Sequence, residues 1–117
     1  MTMASLTPVE IATARANANI GTKLVGAADG MKIWHLRLAP GETLAAHRHD
    51  RPYFWTVLGD GKARSRTGDG RVVDVIYRAG DTQHFPDLSA TKAFIHDLTN
   101  MGAAELVFVT VEFDRAN

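Results

Sequence analysis

Two histidines separated by one residue, His47 and His49, are the side chains whose type and spacing most directly suggest chemistry. In a β-strand, residues i and i+2 point to the same face, so a strand here places two imidazoles side by side, as two ligands of one metal ion require. Tyr53 has the same parity and is the next side chain expected to reach that spot. The pair alone is weak support for a metal site, since two half-exposed strand histidines are the ordinary alternative.

Three further side chains could join this pair, and each has more than one interpretation. His96 shares a face with apolar neighbours in a predicted strand, so it is either a core histidine bonded to a backbone carbonyl or a third metal ligand. His84 packs, faces solvent or serves as a further ligand. Tyr53 either fills space as an aromatic ring or acts through its hydroxyl, because a phenol with a pKa near 10 stays protonated at neutral pH.

Short strands must position these residues. From residue 20 onward the sequence alternates β-type runs with turns rich in Gly, Asp and Pro, which predicts an antiparallel sandwich or barrel. The helix signal is N-terminal: Thr7 caps, Pro8 suits the first turn and Glu10 completes a capping box, which predicts a helix over roughly residues 8–16. The predicted strands cover residues 20–25, 31–38, 45–58 with a break near Pro52, 62–67, 72–77, 82–85, 93–98 and 106–113.

The last strand is apolar on both faces. The face formed by Val107, Val109, Val111 and Phe113 is predicted to be buried, and the face that begins at Leu106 is predicted to be covered as well. A 12.7 kDa barrel has too little interior for so much apolar surface, which predicts a homodimer. The strand over residues 20–25 is the edge expected to add to a neighbouring sheet.

Composition narrows the function. Lysine plus arginine and aspartate plus glutamate both number 13, so the net charge is zero, which argues against nucleic-acid and anionic-membrane partners. The chain has no cysteine, no apolar run of about 20 residues and no visible signal peptide, so a cytoplasmic location is expected.

One domain is predicted, with a tail and short helix over residues 1–17 and a barrel over residues 18–117. Five arginines are spread along separate strands and turns: Arg48, Arg51, Arg64, Arg66 and Arg71. Most of them are expected to face solvent, and one or two at the barrel mouth are suited to bind a substrate carboxylate.

The segment around the histidine pair resembles the first motif of the cupin superfamily. That motif runs Gly, five residues, His-x-His, three or four residues, Glu, six residues, Gly. Gly41, His47 and His49 match it. The Glu position falls on Tyr53, and the closing Gly position falls on Asp60 within a Gly-Asp-Gly turn.

The second cupin motif is matched in two pieces. Gly80 and Pro86 have its opening spacing, and His96 and Asn100 have its closing spacing, with the extra residues DLSATKAFI between them and no Pro-x-Gly turn. The stretches WHLRLAPGE, HRHDRPYFW and HDLTNMGAAELVFVTVEF are similar to small single-domain cupins associated with β-alanine degradation. The resemblance implies an all-β, antiparallel double-stranded β-helix, or jelly-roll barrel, with a short N-terminal helix.

The resemblance also implies a divalent metal held in the barrel by His47, His49 and His96, with zinc, nickel, iron or manganese as the ion. The family's Glu ligand is absent at Tyr53, which leaves a position open for water or substrate and makes Tyr53 the candidate catalytic residue. The expected function is to bind or transform a small carboxylate or amine catabolite, as a metal-dependent oxygenase, isomerase or hydrolase. The alternative is a metal-free barrel that binds or senses a small molecule without catalysis.

Overall fold

A computed structural model describes residues 4–115 of the chain. Within this range it has one helix followed by nine strands, and within it no helix is long and apolar enough to cross a membrane. The elements are α1 Pro8–Arg15, β1 Lys23–Ala28, β2 Met31–Leu38, β3 Thr43–His49, β4 Tyr53–Val57, β5 Gly61–Arg66, β6 Val72–Tyr77, β7 Thr82–Phe85, β8 Phe94–Asn100 and β9 Leu106–Phe113.

The strands form two sheets in which every neighbouring pair is antiparallel. The first sheet has the order β1-β2-β9-β4-β7, and the second has the order β3-β8-β5-β6. Neighbours that are distant in sequence, such as β2 and β9 or β3 and β8, lie side by side. This arrangement confirms the predicted antiparallel jelly roll with one short N-terminal helix.

The helix begins at the predicted capping box. The hydroxyl of Thr7 accepts a hydrogen bond from the backbone N–H of Glu10, and the Glu10 carboxylate accepts one from the backbone N–H of Thr7, at 3.1 and 3.0 Å. These bonds satisfy two of the N–H groups that a helix start leaves unpaired. The helix then packs on β3 and β8 of the second sheet. The division of the chain at residues 17 and 18 stays a prediction, and its first three and last two residues lie outside the described range.

The first strand differs from its prediction over residues 20–25. It begins at Lys23, and Ile20 instead turns inward and is 2% exposed. The chain comes close to β2 at Gly21, where an added Cβ would lie 2.7 Å from the backbone oxygen of His35, so only glycine fits there. Thr22 then bonds to β2, because its backbone N–H and its hydroxyl both donate to the backbone oxygen of His35.

Both faces of β9 are covered at least in part, as predicted, but the fully buried face is the one that begins at Leu106 and not the valine face. Leu106, Phe108, Thr110 and Glu112 are buried, whereas the valine face that ends at Phe113 is only half-buried. Both faces are apolar, so alternation alone does not determine which one points inward. The register decides it, because Leu106 and Phe108 pair across the sheet with the buried Leu38 and Leu36 of β2.

An apolar core fills one end of the space between the sheets. Its buried members come from both sheets: Leu36, Leu38, Val57, Ala63, Tyr77, Leu98, Leu106 and Phe108. The buried polar residues of the interior, including His47, His49 and Thr110, lie farther along the same inward faces. The apolar core therefore lies next to a buried polar site that contains the two histidines.

Candidate metal centre

The histidine pair lies at the end of β3, and a β-bulge determines where the pair points. The pairing of β3 with β8 shifts by one residue between Leu44 and His47. Beyond this shift, His47 pairs directly with His96, and His49 pairs with Phe94. His47 and His49 are 1% and 2% exposed, so the parity prediction holds and both imidazoles point inward.

Three imidazole nitrogens meet in the interior. The Nε2 atom of His49 lies 3.0 Å from Nε2 of His47 and 3.0 Å from Nε2 of His96. Two nitrogens bound at about 2.1 Å to one ion lie about 3.0 Å apart at a right angle and about 3.4 Å apart at the tetrahedral angle. In the described part of the chain this is the one group of three potential ligands able to hold a metal.

Hydrogen bonds on the far sides of the rings assign the tautomers of two histidines. The carbonyl of Ala45 can only accept, so Nδ1 of His47 donates to it at 2.8 Å. The Ser65 hydroxyl donates its hydrogen to the backbone oxygen of Asp97 at 2.8 Å, so it accepts from Nδ1 of His96 at 3.1 Å. Each ring therefore keeps a lone pair on Nε2, directed at the shared point.

This donor set fits a divalent cation. Without a cation, a proton on Nε2 of His49 faces two lone pairs and bonds well to only one of them, whereas a metal ion accepts all three nitrogens. Metal-binding histidines commonly donate their other N–H to a carbonyl or hydroxyl, as His47 and His96 do here. The Nδ1 atom of His49 is buried without a partner.

All three histidines are neutral at physiological pH, as metal ligands must be. Burial lowers the pKa of His47, against smaller upward effects of the Ala45 carbonyl and the Asp97 charge. Burial also lowers the pKa of His96 to about 3, with a further contribution from the neighbouring His47. The pKa of His49 lies well below its usual range, because burial acts together with the charges of the adjacent His96 and His47.

The cavity beside the histidines is small. Its volume is about 50 Å³, and its walls are largely aromatic and aliphatic, including Tyr53, Trp55, Tyr77 and Phe108. One water takes about 30 Å³ of liquid volume, so the cavity accommodates one or two waters, or one small group of a larger molecule.

Solved structures share this architecture, although no protein-family model and no curated protein matches the chain. A cupin domain from Bordetella pertussis Tohama I superposes with a TM-score of 0.69 at 22% identity, over 80% of this chain and 91% of the other. This chain has the cupin fold. A cupin 2 conserved barrel protein from Salinispora arenicola matches with a TM-score of 0.59 at 17% identity, over 97% of this chain and 91% of that one.

A third similar structure is that of an oxalate decarboxylase of Bacillus subtilis. It matches with a TM-score of 0.55 at 22% identity, over 74% of this chain and only 22% of the larger enzyme. That enzyme contains Mn(II) centres. At these identities the likeness establishes the cupin fold of this chain and leaves its activity open.

Tyr53 stands where the cupin motif has its Glu. Its ring is 3% exposed and stacks on the His49 imidazole, with a centroid distance of 4.1 Å and an interplanar angle of 13°. The ring also stacks on Phe85, with a centroid distance of 4.7 Å. Burial raises the pKa of Tyr53 above its usual value, so the hydroxyl stays protonated. The ring thus supplies a neutral aromatic wall where a carboxylate would have brought a negative charge.

His84 does not complete the ligand set. It is exposed on β7, pairs with Phe54 and lines a surface groove with Pro52 and Phe113. Asn100, the last residue of the second motif, has a structural role instead. Its side chain donates to the backbone oxygens of Leu38 and Ala104 and so holds the turn after β8.

Two buried polar residues, one bonded to His96 and one paired with Tyr53, escaped the sequence reasoning. Ser65 orients His96, but its contact depends on the register of β5 against β8. Glu112 is 6% exposed on the inner face of β9 and pairs in register with Tyr53. Burial raises the pKa of Glu112, while the charges of Lys32 and Arg51 act to lower it. The sequence did indicate the face on which Glu112 lies, because Glu112 continues the two-residue alternation of Phe108 and Thr110.

Proposed function

We propose that this cupin holds one divalent metal ion on His47, His49 and His96 and uses it to bind or transform a small carboxylate or amine metabolite. The convergence of three Nε2 atoms carries the proposal, together with the two hydrogen bonds that turn lone pairs toward the shared point. Zinc, nickel, iron and manganese are the candidate ions, and nitrogen spacings of 3.0 Å favour ligands at right angles. When bound, such an ion supplies Lewis-acid or redox chemistry.

The residues around the site define what the protein adds to the metal. The buried aromatic walls exclude bulk water, which strengthens electrostatic interactions inside the cavity. We assign Tyr53 the role of a neutral hydrogen-bond donor, because its phenol keeps its proton. The missing carboxylate leaves the ligand set without a negative charge, so an anionic group of a substrate is favoured as an additional ligand. The likeness to cupins associated with β-alanine degradation stays a prediction.

Elemental analysis of the untagged protein tests the metal proposal. We expect about one equivalent of a transition metal in the wild type and loss of stoichiometric metal in His49→Ala, which removes the central ligand. His84→Ala is the matched control, because His84 is exposed and outside the group. Equal metal content in the wild type and His49→Ala contradicts the proposal.

A metal-free binding barrel is the second candidate, and one contact favours it. The Tyr53 ring covers the face of His49, where the family has a metal-binding carboxylate. Neutral histidines beside aromatic rings form a pocket that is able to bind a small molecule directly. Protein that contains no metal and gains no thermal stability from added zinc, nickel, iron or manganese would favour this candidate over the first.

A further inference from the structure

A second and larger cavity lies beside the metal centre. It is a groove of about 920 Å³ between α1, the turn at residues 67–71 and the chain at residues 85–95. Small-molecule sites commonly measure about 300–1,000 Å³. We call it the arginine groove, and its defining residues are Arg15, Arg48, Arg71, Phe85, Leu88 and Phe94.

The arginine groove has an excess of positive charge. Three arginines line it against one acid, Asp69, whose carboxylate pairs with Arg71 at 2.8 Å. Arg48 is only loosely engaged: its nearest carboxylate, that of Asp50, is 3.7 Å away, and its other contact is the backbone oxygen of Ala90 at 3.1 Å. Arg15 has no ion pair or side-chain hydrogen bond with the described part of the chain. Two guanidinium groups therefore remain available for an anion.

The wall of the groove is apolar and is shared with the metal centre. Phe94 lines the groove and packs on His49 and His96 with ring centroids 4.9 and 5.1 Å apart. Phe85 lines it as well and stacks on Tyr53 at 4.7 Å. These two rings separate the groove from a histidine cavity that has room for only a small group. The body of any larger substrate must therefore lie outside that cavity.

We propose that the arginine groove binds a small organic carboxylate with an apolar or aromatic body. The guanidinium groups of Arg15 and Arg48 hold the carboxylate, and Phe85, Leu88 and Phe94 contact the body. This inference goes beyond the proposed function, because it places a carboxylate site outside the histidine cavity. Binding in the groove itself requires no metal.

The test is a ¹⁹F NMR titration of chelator-treated, metal-free protein with 4-fluorophenylacetate. We expect saturable binding, and we expect the neutral isostere 4-fluorophenylacetamide to bind about tenfold more weakly, because a charge-assisted hydrogen bond is lost. Arg15→Gln and Arg48→Gln should each weaken binding of the acid by about fivefold, since both groups are partly solvated. Arg37→Gln is the matched control, as Arg37 is exposed, pairs with Glu105 and does not line the groove.

Three results would overturn the inference. They are equal binding of the acid and the amide, unchanged binding in the Arg15→Gln/Arg48→Gln double variant, and binding that occurs only in metal-loaded protein. A failure of the metal proposal can be distinguished from a failure of the groove proposal. Protein that never takes up metal but binds 4-fluorophenylacetate through Arg15 and Arg48 removes the metal centre and leaves the groove site supported.

Discussion

Replacing Ser65 by alanine tests whether the histidines are held ready for a metal. Ser65 is 8% exposed, and its hydroxyl is the one described partner of the Nδ1 atom of His96. In Ser65→Ala, Nδ1–H of His96 is left buried without an acceptor, which costs about 1–3 kcal/mol of folding free energy. Loss of such a partner commonly weakens metal binding by about 10–100-fold, or about 1.4–2.7 kcal/mol.

Competition titration against a chromophoric chelator measures the metal affinity, and urea unfolding of metal-free protein measures the stability. Ser65→Thr retains the hydroxyl, so it should recover most of the metal affinity even where its added methyl group lowers stability. Ser89→Ala removes a serine hydroxyl whose bond to Thr91 is exposed, and it should change neither quantity.

The result that refutes this reasoning is specific. If Ser65→Ala is destabilised but binds metal within twofold of the wild type, Ser65 only fills a hydrogen bond in the fold. The tautomer of His96 would then be set by something other than this contact.

Three further predictions address the same chain. The metal-free protein should lose stability as the pH falls below 6.5 toward about 3, because histidines such as His96 bind protons in the unfolded chain but stay neutral when buried. The free energy of unfolding should fall by up to about 1.4 kcal/mol per pH unit for each such histidine, and urea unfolding midpoints that do not change between pH 7 and 5 contradict this prediction. Tyr53→Glu should tighten metal binding at least about tenfold by restoring an anionic ligand, as measured by chelator competition, and weaker binding would show that the Tyr53 ring supports the site. The protein should be a homodimer by light scattering, because β1 is a sheet edge on which Leu24 and Val25 are 45% and 42% exposed, and a monomer at micromolar concentration contradicts this.

Local signals predicted the elements well, because each signal acts over a few residues. The capping box at Thr7 and Glu10 and the break near Pro52 are such signals, and both are present in the structure. The inward direction of His47 and His49 was also predictable, since alternation relates residues within one strand.

Relations between strands were harder to predict. The pairing of His47 with His96 spans much of the chain and depends on the register of β3 against β8, which the family resemblance supplied and the residue pattern did not. The contact of Ser65 with His96 depends on register in the same way. Both faces of β9 are apolar and were predicted to be covered, so the sequence did not show which face points inward, and the burial of Glu112 went unnoticed.

The bulge in β3 shifts the side-chain alternation, so residues of opposite parity on its two sides point to the same face. Leu44 and His47 have opposite parity in the sequence, yet both line the same cavity, because one extra residue intervenes before His47. The backbone carbonyls of the two bulge residues have hydrogen-bond partners: that of Ala45 accepts from His47, and that of Ala46 accepts from Asn17 at 3.0 Å. Loss of one residue here would leave every side chain of the site intact in the sequence but rotate the histidine pair out of the barrel. In alignments of such barrels, a one-residue gap before the His-x-His pair therefore matters more than many substitutions within it.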